Sequence, residues 1–537
     1  MGARCPHPTL MRVFLRWLPV GLVLLAPAEA GAPPSKILHV GVGVDPQDLD
    51  PQIITGIPEA RILRALCEGL VIIGPDGNLA PGVAHSWEVS ADGLQLTFWL
   101  RREARWSDGR PLTARDFVAS YQRILTAGLG ARNAERLYPV VGAEEFHRGH
   151  LTDFSRTGFA APEDHLLRFT LKQPATFLLQ LLTMPEWLPV PLHVINRVGK
   201  PDQPGNRWTR SEHFVGNGAF ALRTWRPSQP LVVARSPTYW GHATVRLDEI
   251  HFHPIEDAGV EERLFRQGRL HLTQTIPAAK IAPYRREQPE SLRIDPFGGL
   301  YYYVCNTRRP PFDDARVRRA LALALDREAL TRHVSQGGEE PAYSAVRPGL
   351  AGYPGAPAFR ADPAEARRLL AAAGFPRGRG FPRVELLYNT AEQHRALAEA
   401  VQQRWRRELG IEITLLNQEW TVYLDAINRS HSFQLARGGW VVAEPHIHLE
   451  RWQTGHATNQ AGWSHAGYDR LLAAALAAPT TAERYARYRE MEAILAEEMP
   501  FIPVYFHTLP RLVSPKVLGY RTTLEDAFPW AAVDLRP

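Results

Sequence analysis

The sequence predicts an α/β protein of at least two lobes, the later of which alternates helices and strands. Three observations lead to this prediction. The chain has 537 residues, of which 45% are apolar, enough for two or three domains with cores of their own. The apolar pattern is strand-rich from about residue 165 to 300. After Leu300, helical and strand patterns alternate, which is typical of an α/β unit.

The first thirty residues have the pattern of a secretory signal peptide. Two arginines precede the apolar run WLPVGLVLLA, and the small-residue pattern AEA follows and ends at Ala30. A basic start, a short apolar core and an A-x-A site are the parts of such a peptide, and the apolar run is about half the roughly 20 residues that span a bilayer. We therefore expect residues 1–30 to be removed near Ala30, which leaves a soluble, exported chain. Met1 and Met11 are both candidate start residues.

The first part of the predicted mature chain contains two strand patterns and one helix with a clear N-terminal signal. Apolar residues alternate in ILHVGVGVD and again in LQLTFWLRR, as they do in a half-buried strand. A helix follows in LTARDFVASYQRIL, where Thr113 caps the start and Asp116 is placed as in a capping box. Phe117, Tyr121 and Leu125 then share one helical face.

The strand-rich part contains two histidines that invite a metal interpretation. HLLRFTL, GAFALRTW, PLVVARS, EIHFHPI and LRIDPF all have strand patterns. His251 and His253 lie in EIHFHPI, so both rings share one face of a strand. A third ligand with suitable spacing is not apparent in the sequence, and zinc sites need at least three protein ligands. We therefore favour an ordinary strand over a metal site here.

Helices alternate with strands after Leu300. YYYVCN has the pattern of a buried strand, and Asp313 or Asp314 opens the helix PFDDARVRRALALALDREAL. Two helix–strand units follow, PAEARRLLAAAGF with VELLYN and HRALAEAVQQRWRRELG with IEITLLNQEW. A last helix, AERYARYREMEAILAEEM, leads into FIPVYFH and a strand-like C-terminus.

Charge distribution and motifs argue against nucleic-acid binding and against catalysis. The formal net charge is +6, but the basic residues, nearly all of them Arg, are spread among acidic neighbours, whereas a nucleic-acid site needs a concentrated basic face. The sequence has no G-x-S-x-G elbow in strand-to-helix context, no Walker loop and no H-E-x-x-H motif. No carboxylate pair is singled out for glycoside hydrolysis. We expect a protein that is not an enzyme and that needs no cofactor.

Cys67 and Cys305 are the cysteines of the mature chain. Export permits a disulfide, yet cysteine is also among the most frequently buried residues. Two buried thiols are the favoured interpretation, and a disulfide is the alternative.

The segment LARGGWVVAEPHIHLERW, residues 435–452, combines glycines, tryptophans, acidic residues and two alternating histidines. His446 and His448, with His456 further on, carry donor atoms that nickel or zinc would accept. Their spacing does not enforce convergent geometry, so we favour a polar segment that lines a crevice and predict no metal. The Gly-Gly pair before Trp440 would let another backbone come close, as in a ligand pocket.

Longer motifs follow one another through the mature chain in a fixed order. They are WSDGRPLTARDFVASYQRIL, NGAFALRTW, SPTYWGHATVRLDEI, YYYVCNTRRPPFDDARVRRALALALDRE, LLYNTAEQHRALA and LNQEWTVYLDAINRSHSFQLARGGW. Together they resemble the periplasmic oligopeptide-binding proteins (extracellular solute-binding protein family 5), which are the receptors of peptide ABC importers. The resemblance covers essentially the whole mature chain.

The resemblance implies an architecture and a mode of action. It implies a two-lobed, type II-like periplasmic-binding-protein fold with mixed sheets, an extra domain and a hinge between the lobes. Lobe I would comprise residues 31–67, 198–298 and 508–537, the extra domain residues 68–197, and lobe II residues 299–507. The lobes would close around an extended peptide that adds to a protein strand, and a periplasmic monomer would deliver it to an inner-membrane ABC permease.

The resemblance also implies individual contacts, which are pocket residues, carboxylate-binding residues and a segment that pairs with the peptide backbone. The matching positions are Ile57 for a contact with the peptide backbone, Gln274, Thr275, Phe297 and Tyr302 for pockets, Trp420 for a pocket wall, His394 and Arg437 for the C-terminal carboxylate, and Gly439, Trp440 and Val441 for the pairing segment.

One position departs from the family pattern. Peptide-binding members follow the Gly-Trp with an aspartate that holds the α-ammonium of the ligand, whereas this chain continues WVVAEP and first offers Glu444. A buried ammonium without a counter-charge is costly. Either Glu444 reaches the ammonium, or the ligand lacks a free N-terminus. The alternative ligands are therefore an N-blocked peptide, a cell-wall peptide, or a non-peptide solute such as a sugar or a metal chelate.

Overall fold

The strands of the chain form sheets of both mixed and antiparallel type. The computed structural model describes residue 2 and residues 35–536 apart from 55, 176, 204, 357–358, 442–443 and 479. The predicted leader, residues 1–30, therefore lies outside the described part except for residue 2. The strands are β1 (Ile37–Gly41), β2 (Val71–Ile73), β3 (Leu79–Pro81), β4 (Ala84–Val89), β5 (Gln95–Leu100), β6 (Phe159–Glu163), β7 (Leu166–Thr170), β8 (Phe220–Thr224), β9 (Leu231–Arg235), β10 (Glu249–His253), β11 (Leu292–Cys305), β12 (Glu340–Pro341), β13 (Val384–Asn389), β14 (Ile413–Gln418), β15 (Leu435–Val441), β16 (Phe501–Leu512), β17 (Val517–Leu518) and β18 (Asp534–Leu535).

Helices cover the sheets, and short 3-10 turns connect many of the elements. The α-helices are α1 (Ile57–Leu66), α2 (Ala114–Leu125), α3 (Ala143–His147), α4 (Leu178–Leu181), α5 (Leu192–Val198), α6 (Ala258–Arg266), α7 (Ala278–Glu287), α8 (Ala315–Leu323), α9 (Arg327–Leu330), α10 (Pro363–Ala372), α11 (Glu392–Leu409), α12 (Trp420–Asn428), α13 (Pro445–Glu450), α14 (Ala466–Leu476) and α15 (Thr481–Glu498). Within the described residues, no helix combines the length and hydropathy required for a membrane span.

The first sheet has the strand order β1-β10-β9-β8 and mixes both directions. β1 runs parallel to β10, whereas β9 is antiparallel to both of its neighbours. The alternation that predicts β1 places Leu38 and Val40 on one face, where both are fully buried in an apolar core. The side chains between them therefore lie on the opposite face.

The second sheet has the order β4-β5-β7-β6 and is antiparallel throughout. Phe117 and Tyr121 of α2 share an apolar core with Phe169 of β7, so the predicted helical face packs on this sheet. The capping box is confirmed, because the Thr113 backbone N–H donates to the Asp116 carboxylate at 2.8 Å and the Thr113 side chain accepts from the first turn.

The third sheet has the order β12-β16-β11-β15-β13-β14. β11 is antiparallel to β15 and β16, whereas β13 is parallel to β14 and β15. Cores cover both faces, with Tyr301 and Tyr303 in one core and Tyr302 in the other. Asp314 caps α8 as predicted and accepts from the Arg316 N–H at 2.8 Å, but the single predicted helix is divided into α8 and α9.

β11 and β16 extend beyond the third sheet as a long antiparallel pair. Residues 300–304 pair within the third sheet, residues 292–296 pair with 508–512, and the register shifts at Phe297–Gly299 between them. The residue directly after β16, Val513, belongs to the core of the first sheet. The sequence predicts two strands, LRIDPF and YYYVCN, where the structure has one interrupted strand. The domain ranges implied by the resemblance stay predictions.

Cys67 and Cys305 are both free and buried. Cys67 belongs to the core of the first sheet and Cys305 to a core of the third sheet. Burial raises the pKa of each thiol to about 12. The interpretation as two buried thiols is confirmed, and the alternative disulfide is wrong.

Candidate ligand-binding site

β15 has one edge that is paired throughout and one edge that is largely open. Every residue from Leu435 to Val441 has a register partner on β11. On the other side β13 pairs only with Leu435 and Ala436, and among the described residues no strand pairs with this edge of residues 437–441. In an antiparallel ladder every second residue turns its N–H and C=O away from the partner. Part of this backbone is therefore available to an added strand.

The side chains of β15 alternate between a packed face and an accessible face. Trp440 packs against a core of the third sheet. Gly438 lies on the same face, where a Cβ would overlap the buried ring of Tyr302, so this glycine is required by the core. The accessible face carries Arg437, Gly439 and Val441, the last of which is 49% exposed.

Arg437, on the accessible face, is a cation without a carboxylate partner. Its guanidinium lies 5.1 Å from the centre of the Tyr301 ring. Within the described residues no ion pair joins it to a carboxylate, and its buried Nε has no hydrogen-bond partner. The hydroxyl of Tyr423 donates to the Arg437 backbone carbonyl. A half-buried guanidinium in this state favours an anion that can accept two parallel hydrogen bonds.

Two histidines flank this guanidinium. His394, in the first turn of α11, has its ring 5.6 Å from that of Tyr301, and His507, in β16, has its ring 5.1 Å from that of Tyr505. Burial, and then the charge of Arg437, lowers the pKa of each histidine to about 4. Both rings are neutral at pH 7, so each can donate one hydrogen bond. We call Arg437, His394 and His507 the anion niche.

The family resemblance predicts that Arg437 and His394 contact the C-terminal carboxylate of the ligand, but it assigns no contact to His507. FIPVYFH is recognised only as a strand. Its alternation places Tyr505 and His507 on one face, and Tyr505 is the register partner of Tyr301. This face meets Arg437 only because β15, β11 and β16 pair with one another, and these strands are far apart in sequence. The alternation alone predicts that Tyr505 and His507 share a face, but not that this face lies beside Arg437.

Three predicted contacts are apolar side chains that remain exposed. Trp420, the first residue of α12, is 50% exposed and stacks on Tyr423 with ring centres 5.7 Å apart. Ile57, the first residue of α1, is 45% exposed. Single exposed apolar side chains are common, but Val441 belongs to β15 and Trp420 adjoins it through Tyr423. These side chains can form walls for apolar parts of a ligand.

Phe297 and Tyr302 are buried, at 7% and 1% exposure. Phe297 lies at the register shift of β11. Tyr302 packs edge-on against Trp452 and Phe501 on the packed side of the third sheet. Their contact with a ligand stays a prediction, and Tyr302 lies on the side of the sheet opposite to Arg437.

Gln274 and Thr275 belong to a polar network beside the first sheet. Their backbone N–H groups donate to the buried carboxylate of Glu261 at 2.7 and 3.2 Å. Burial raises the pKa of Glu261 to about 7. The Gln274 side chain accepts from Arg61, which also pairs with Asp526. Ligand contact by Gln274 and Thr275 stays a prediction.

Glu444 lies at the start of α13 and caps that helix. Its carboxylate accepts from the His446 N–H and is part of a residue only 2% exposed. Burial raises the pKa of Glu444 to about 7, although the cap and the charge of Arg484 lower it in part. Pro445 is a favoured first helical residue, so the sequence did contain a helix signal here. Residues 442–443 are outside the described part.

The histidines after Glu444 lie apart from the anion niche. His446 and His448 lie in α13, not in a strand or loop. His446 stacks on Phe177 with ring centres 4.7 Å apart, and its Nδ1 lies 3.1 Å from the Tyr488 hydroxyl. As they stand, no three His, Cys, Asp or Glu side chains of the described residues, His456 included, are placed to hold a metal ion.

Comparison with known proteins identifies related sequences over nearly the whole chain. Residues 78–461 match the model of the bacterial extracellular solute-binding proteins, family 5 Middle. The chain is 34% identical over 519 residues to the periplasmic oligopeptide-binding protein OppA of Escherichia coli strain K12, a match that covers 93% of this chain and 92% of OppA. It is 33% identical over 486 residues to the periplasmic murein peptide-binding protein MppA of the same strain, covering 89% and 88%.

Solved structures of related proteins have the same fold. The Escherichia coli murein tripeptide binding protein MppA has a TM-score of 0.78 and 32% identity, covering 94% of this chain and 99% of that one. Haemophilus influenzae OppA in complex with RPPGFSPFR has a TM-score of 0.76 and 28% identity, covering 94% and 99%. The predicted two-lobed α/β fold with mixed sheets is therefore confirmed. The chain belongs to the bacterial extracellular solute-binding proteins of family 5.

Proposed function

We propose that this chain is a periplasmic solute-binding protein that captures oligopeptides in the cleft between its two lobes and delivers them to an inner-membrane ABC permease. The observation that carries the proposal is the open edge of β15 beside the anion niche. The names of OppA and MppA give peptides as the ligands of those relatives, which supports a peptide here. The protein acts by binding alone, as a monomer, and catalyses no reaction.

The open edge of residues 437–441 fits the main chain of an extended peptide. A strand that adds there binds through backbone hydrogen bonds, which every peptide sequence can make. Gly439 carries no side chain on the accessible face, so a ligand can approach the strand closely. Binding that depends little on peptide sequence follows from this arrangement.

The anion niche fits the C-terminal carboxylate of that peptide. Arg437 supplies two parallel N–H donors to a carboxylate, and the neutral rings of His394 and His507 can each supply one more. α11 begins at Glu392, so the positive end of its dipole adds to the attraction. A peptide bound this way runs antiparallel to β15, with its N-terminus beyond Val441.

The remaining predicted contacts divide into walls and supports. Ile57, Trp420 and Val441 provide apolar walls for ligand side chains. Tyr302 holds β15 in place from the packed face, together with Trp440. Phe297 lies at the register shift of β11, and Gln274 and Thr275 lie beside the first sheet. Their contact with the ligand as pocket residues stays a prediction.

Two classes of peptide fit at the N-terminal end of the ligand, those with a free ammonium and those whose N-terminus is blocked. Glu444 can reach a peptide ammonium only by releasing the His446 N–H that it caps. An N-blocked or cell-wall peptide needs no counter-charge there, and this makes such peptides the second candidate. Ordinary oligopeptides remain the first candidate.

The experiment is calorimetric titration with three forms of one tripeptide: the free peptide, its C-terminal amide and its N-acetyl derivative. Loss of a charge-assisted hydrogen-bond pair costs about 1.5–3 kcal/mol, so the amide should bind about 10- to 100-fold more weakly. In the variant Arg437→Gln, the difference in affinity between the acid and the amide should shrink, because His394 and His507 alone remain to bind the carboxylate. Arg395→Gln is the matched control, since Arg395 is an exposed arginine of α11 that pairs with Glu392.

The outcomes separate the alternatives. If acetylation abolishes binding, a counter-charge for the ammonium exists and ordinary oligopeptides are the ligands. If acetylation leaves binding unchanged or improves it, blocked peptides are the ligands. If a panel of such peptides shows no binding, the proposal of peptide capture fails, and mass spectrometry of ligands extracted from the purified protein should identify the solute.

A further inference from the structure

Four histidines meet on the polar face of the first sheet, and none of them belongs to the candidate ligand-binding site. His39 lies in β1, and its register partner on β10 is His251. His253 lies two residues further along β10, on the same face. His271 lies on the other side of β1, where its backbone N–H donates to the His39 carbonyl at 2.9 Å. The fold thus brings two further histidines to His251 and His253, which their spacing in the sequence does not reveal.

The four rings are in contact and partly accessible. The His39 ring centre lies 5.0 Å from that of His251, 5.2 Å from that of His253 and 5.5 Å from that of His271. The Nδ1 atom of His39 lies 3.0 Å from the Nε2 atom of His253. All four residues are half-buried, so an ion can reach them from solvent.

Hydrogen bonds decide which ring nitrogens can donate an electron pair. His251 Nε2 lies 2.7 Å from the Glu249 carboxylate, so Nε2 carries the proton and Nδ1 keeps its lone pair. His271 Nδ1 accepts from the His39 backbone N–H at 3.0 Å, which occupies its lone pair. His39, His251 and His253 are therefore the available ligands, and His271 packs beside them.

His39 and His253 share one proton in a hydrogen bond between their ring nitrogens. A metal ion could replace this proton and bind both nitrogens. Zinc–nitrogen distances of about 2.0–2.1 Å in tetrahedral geometry separate two ligand nitrogens by about 3.3 Å. The observed 3.0 Å between His39 Nδ1 and His253 Nε2 is within a few tenths of an ångström of that value. A carboxylate on the far nitrogen of a ligating histidine is the usual second partner in such sites, and Glu249 has this position at His251.

The charge state of the rings also suits a cation. Burial, and then the neighbouring rings, lowers the pKa of His39, and lowers that of His253 to about 4. Neutral imidazole is the form that ligates metals. The other charged groups that act on the cluster are Glu249, Arg269 near His253, and Lys516 near His271.

We propose that His39, His251 and His253 bind a first-row transition-metal ion of the zinc class on the polar face of the first sheet, with Glu249 holding the far nitrogen of His251. The three nitrogens of the described residues do not yet converge on one point, so binding requires the His251 ring to rotate toward the other two, and the partly exposed Glu249 side chain must move with it. Imidazole ligands suit zinc, nickel and copper, and zinc is the probe that we choose.

The test is titration of tag-free mature protein with Zn²⁺ by calorimetry, together with the d–d absorption of Co²⁺ added in its place. One equivalent should bind, and Co²⁺ should give the intense bands of a low-coordinate site. His39→Gln and His253→Gln should each weaken binding more than 10-fold. Glu249→Gln should weaken it about 10- to 100-fold, as loss of an outer partner does.

The matched controls are His271→Gln and His456→Gln, which should bind zinc like the unaltered protein. Each variant's unfolding temperature without metal shows whether it folds, and Glu249→Gln tests the site without removing a ligand. Absence of zinc binding to the unaltered protein overturns the proposal. Equal binding by the His39, His253 and Glu249 variants overturns it as well, and would place the ion elsewhere. The proposal does not depend on peptide capture.

Discussion

Arg437 differs from Arg61 and Arg511 in what surrounds its guanidinium. Arg61 and Arg511 share the carboxylate of Asp526, so the fold itself completes those ion pairs. Within the described residues, the half-buried Arg437 has no carboxylate partner and lies beside a tyrosine ring and two neutral histidines. Because a partly desolvated charge without a counter-charge is unfavourable, an arriving carboxylate supplies an attraction that the free site lacks.

Peptide affinity should rise as the pH falls. A ligand carboxylate beside His507 raises the pKa of that histidine from about 4, so the complex binds more protons than the free protein and acid favours binding. If the carboxylate restores the ordinary His value of about 6.5, affinity at pH 5.5 should be about ten times that at pH 7.5. Calorimetry at the two pH values measures this.

The C-terminal amide is the control for this pH effect. It carries no charge into the anion niche, so its affinity should be nearly the same at both pH values. His507→Gln should weaken the pH dependence for the free acid, because the ring whose pKa the carboxylate raises is gone. An acid whose affinity is flat with pH would show that the carboxylate does not contact these histidines.

At the scale of the element, β15 contains two adjacent glycines that are required for different reasons. Gly438 leaves room for the packed core, and Gly439 leaves room for the ligand. Gly438→Ala places a methyl group inside the Tyr302 ring, and overpacking of this kind costs about 1–3 kcal/mol or more. Gly439→Ala places the methyl group 2.9 Å from Nη2 of Arg437, the far end of a flexible side chain that can move. Gly439→Ala should therefore fold with little loss of stability but bind peptide more weakly.

Urea unfolding and calorimetry of the two glycine variants check this contrast. Gly438→Ala should lower the unfolding midpoint clearly, and Gly439→Ala should leave it nearly unchanged. The reverse order of stability would show that Tyr302 does not fix the packed face. Peptide affinity unchanged in Gly439→Ala would show that the ligand does not approach this face of β15.

Elements were predictable from sequence where the signal is local. Thr113 and Asp116 predict a capping box because both partners lie within one turn. The Tyr301–Tyr303 run does not reveal which ring faces Arg437, because both faces of a central strand are buried and equally apolar. The pairing of His39 with His251, and the meeting of His507 with Arg437, depend on long-range strand order that no local pattern contains.

At the scale of the whole molecule, we propose the interrupted pair β11–β16 as the hinge. Residues 300–304 lie in the cores of the third sheet, whereas Leu292, Ile294 and Leu512 pack in a separate apolar cluster, and Phe297–Gly299 lies at the register shift between them. A few residues at an element break can absorb the backbone rotation of domain closure. Small-angle scattering should therefore show a smaller radius of gyration at saturating peptide than without peptide.

The variant Arg437→Gln is the control for closure. At a peptide concentration that saturates the unmodified protein but lies below the dissociation constant of the variant, it should stay at the radius of the free protein. An unaltered radius in the unmodified protein, at a concentration where calorimetry shows full binding, would contradict hinge closure without contradicting peptide capture.

The two thiols of the described residues have a practical consequence. Cys67 and Cys305 are buried, with pKa values raised to about 12, and thiols in that state do not react with maleimides at neutral pH. A cysteine introduced at Val422, which is 55% exposed and two residues from Trp420, would be the one reactive thiol within the part of the chain that the structure describes. A polarity-sensitive dye attached there would turn the receptor into an optical sensor for its own ligand, and native solutes could be screened without labelling any of them.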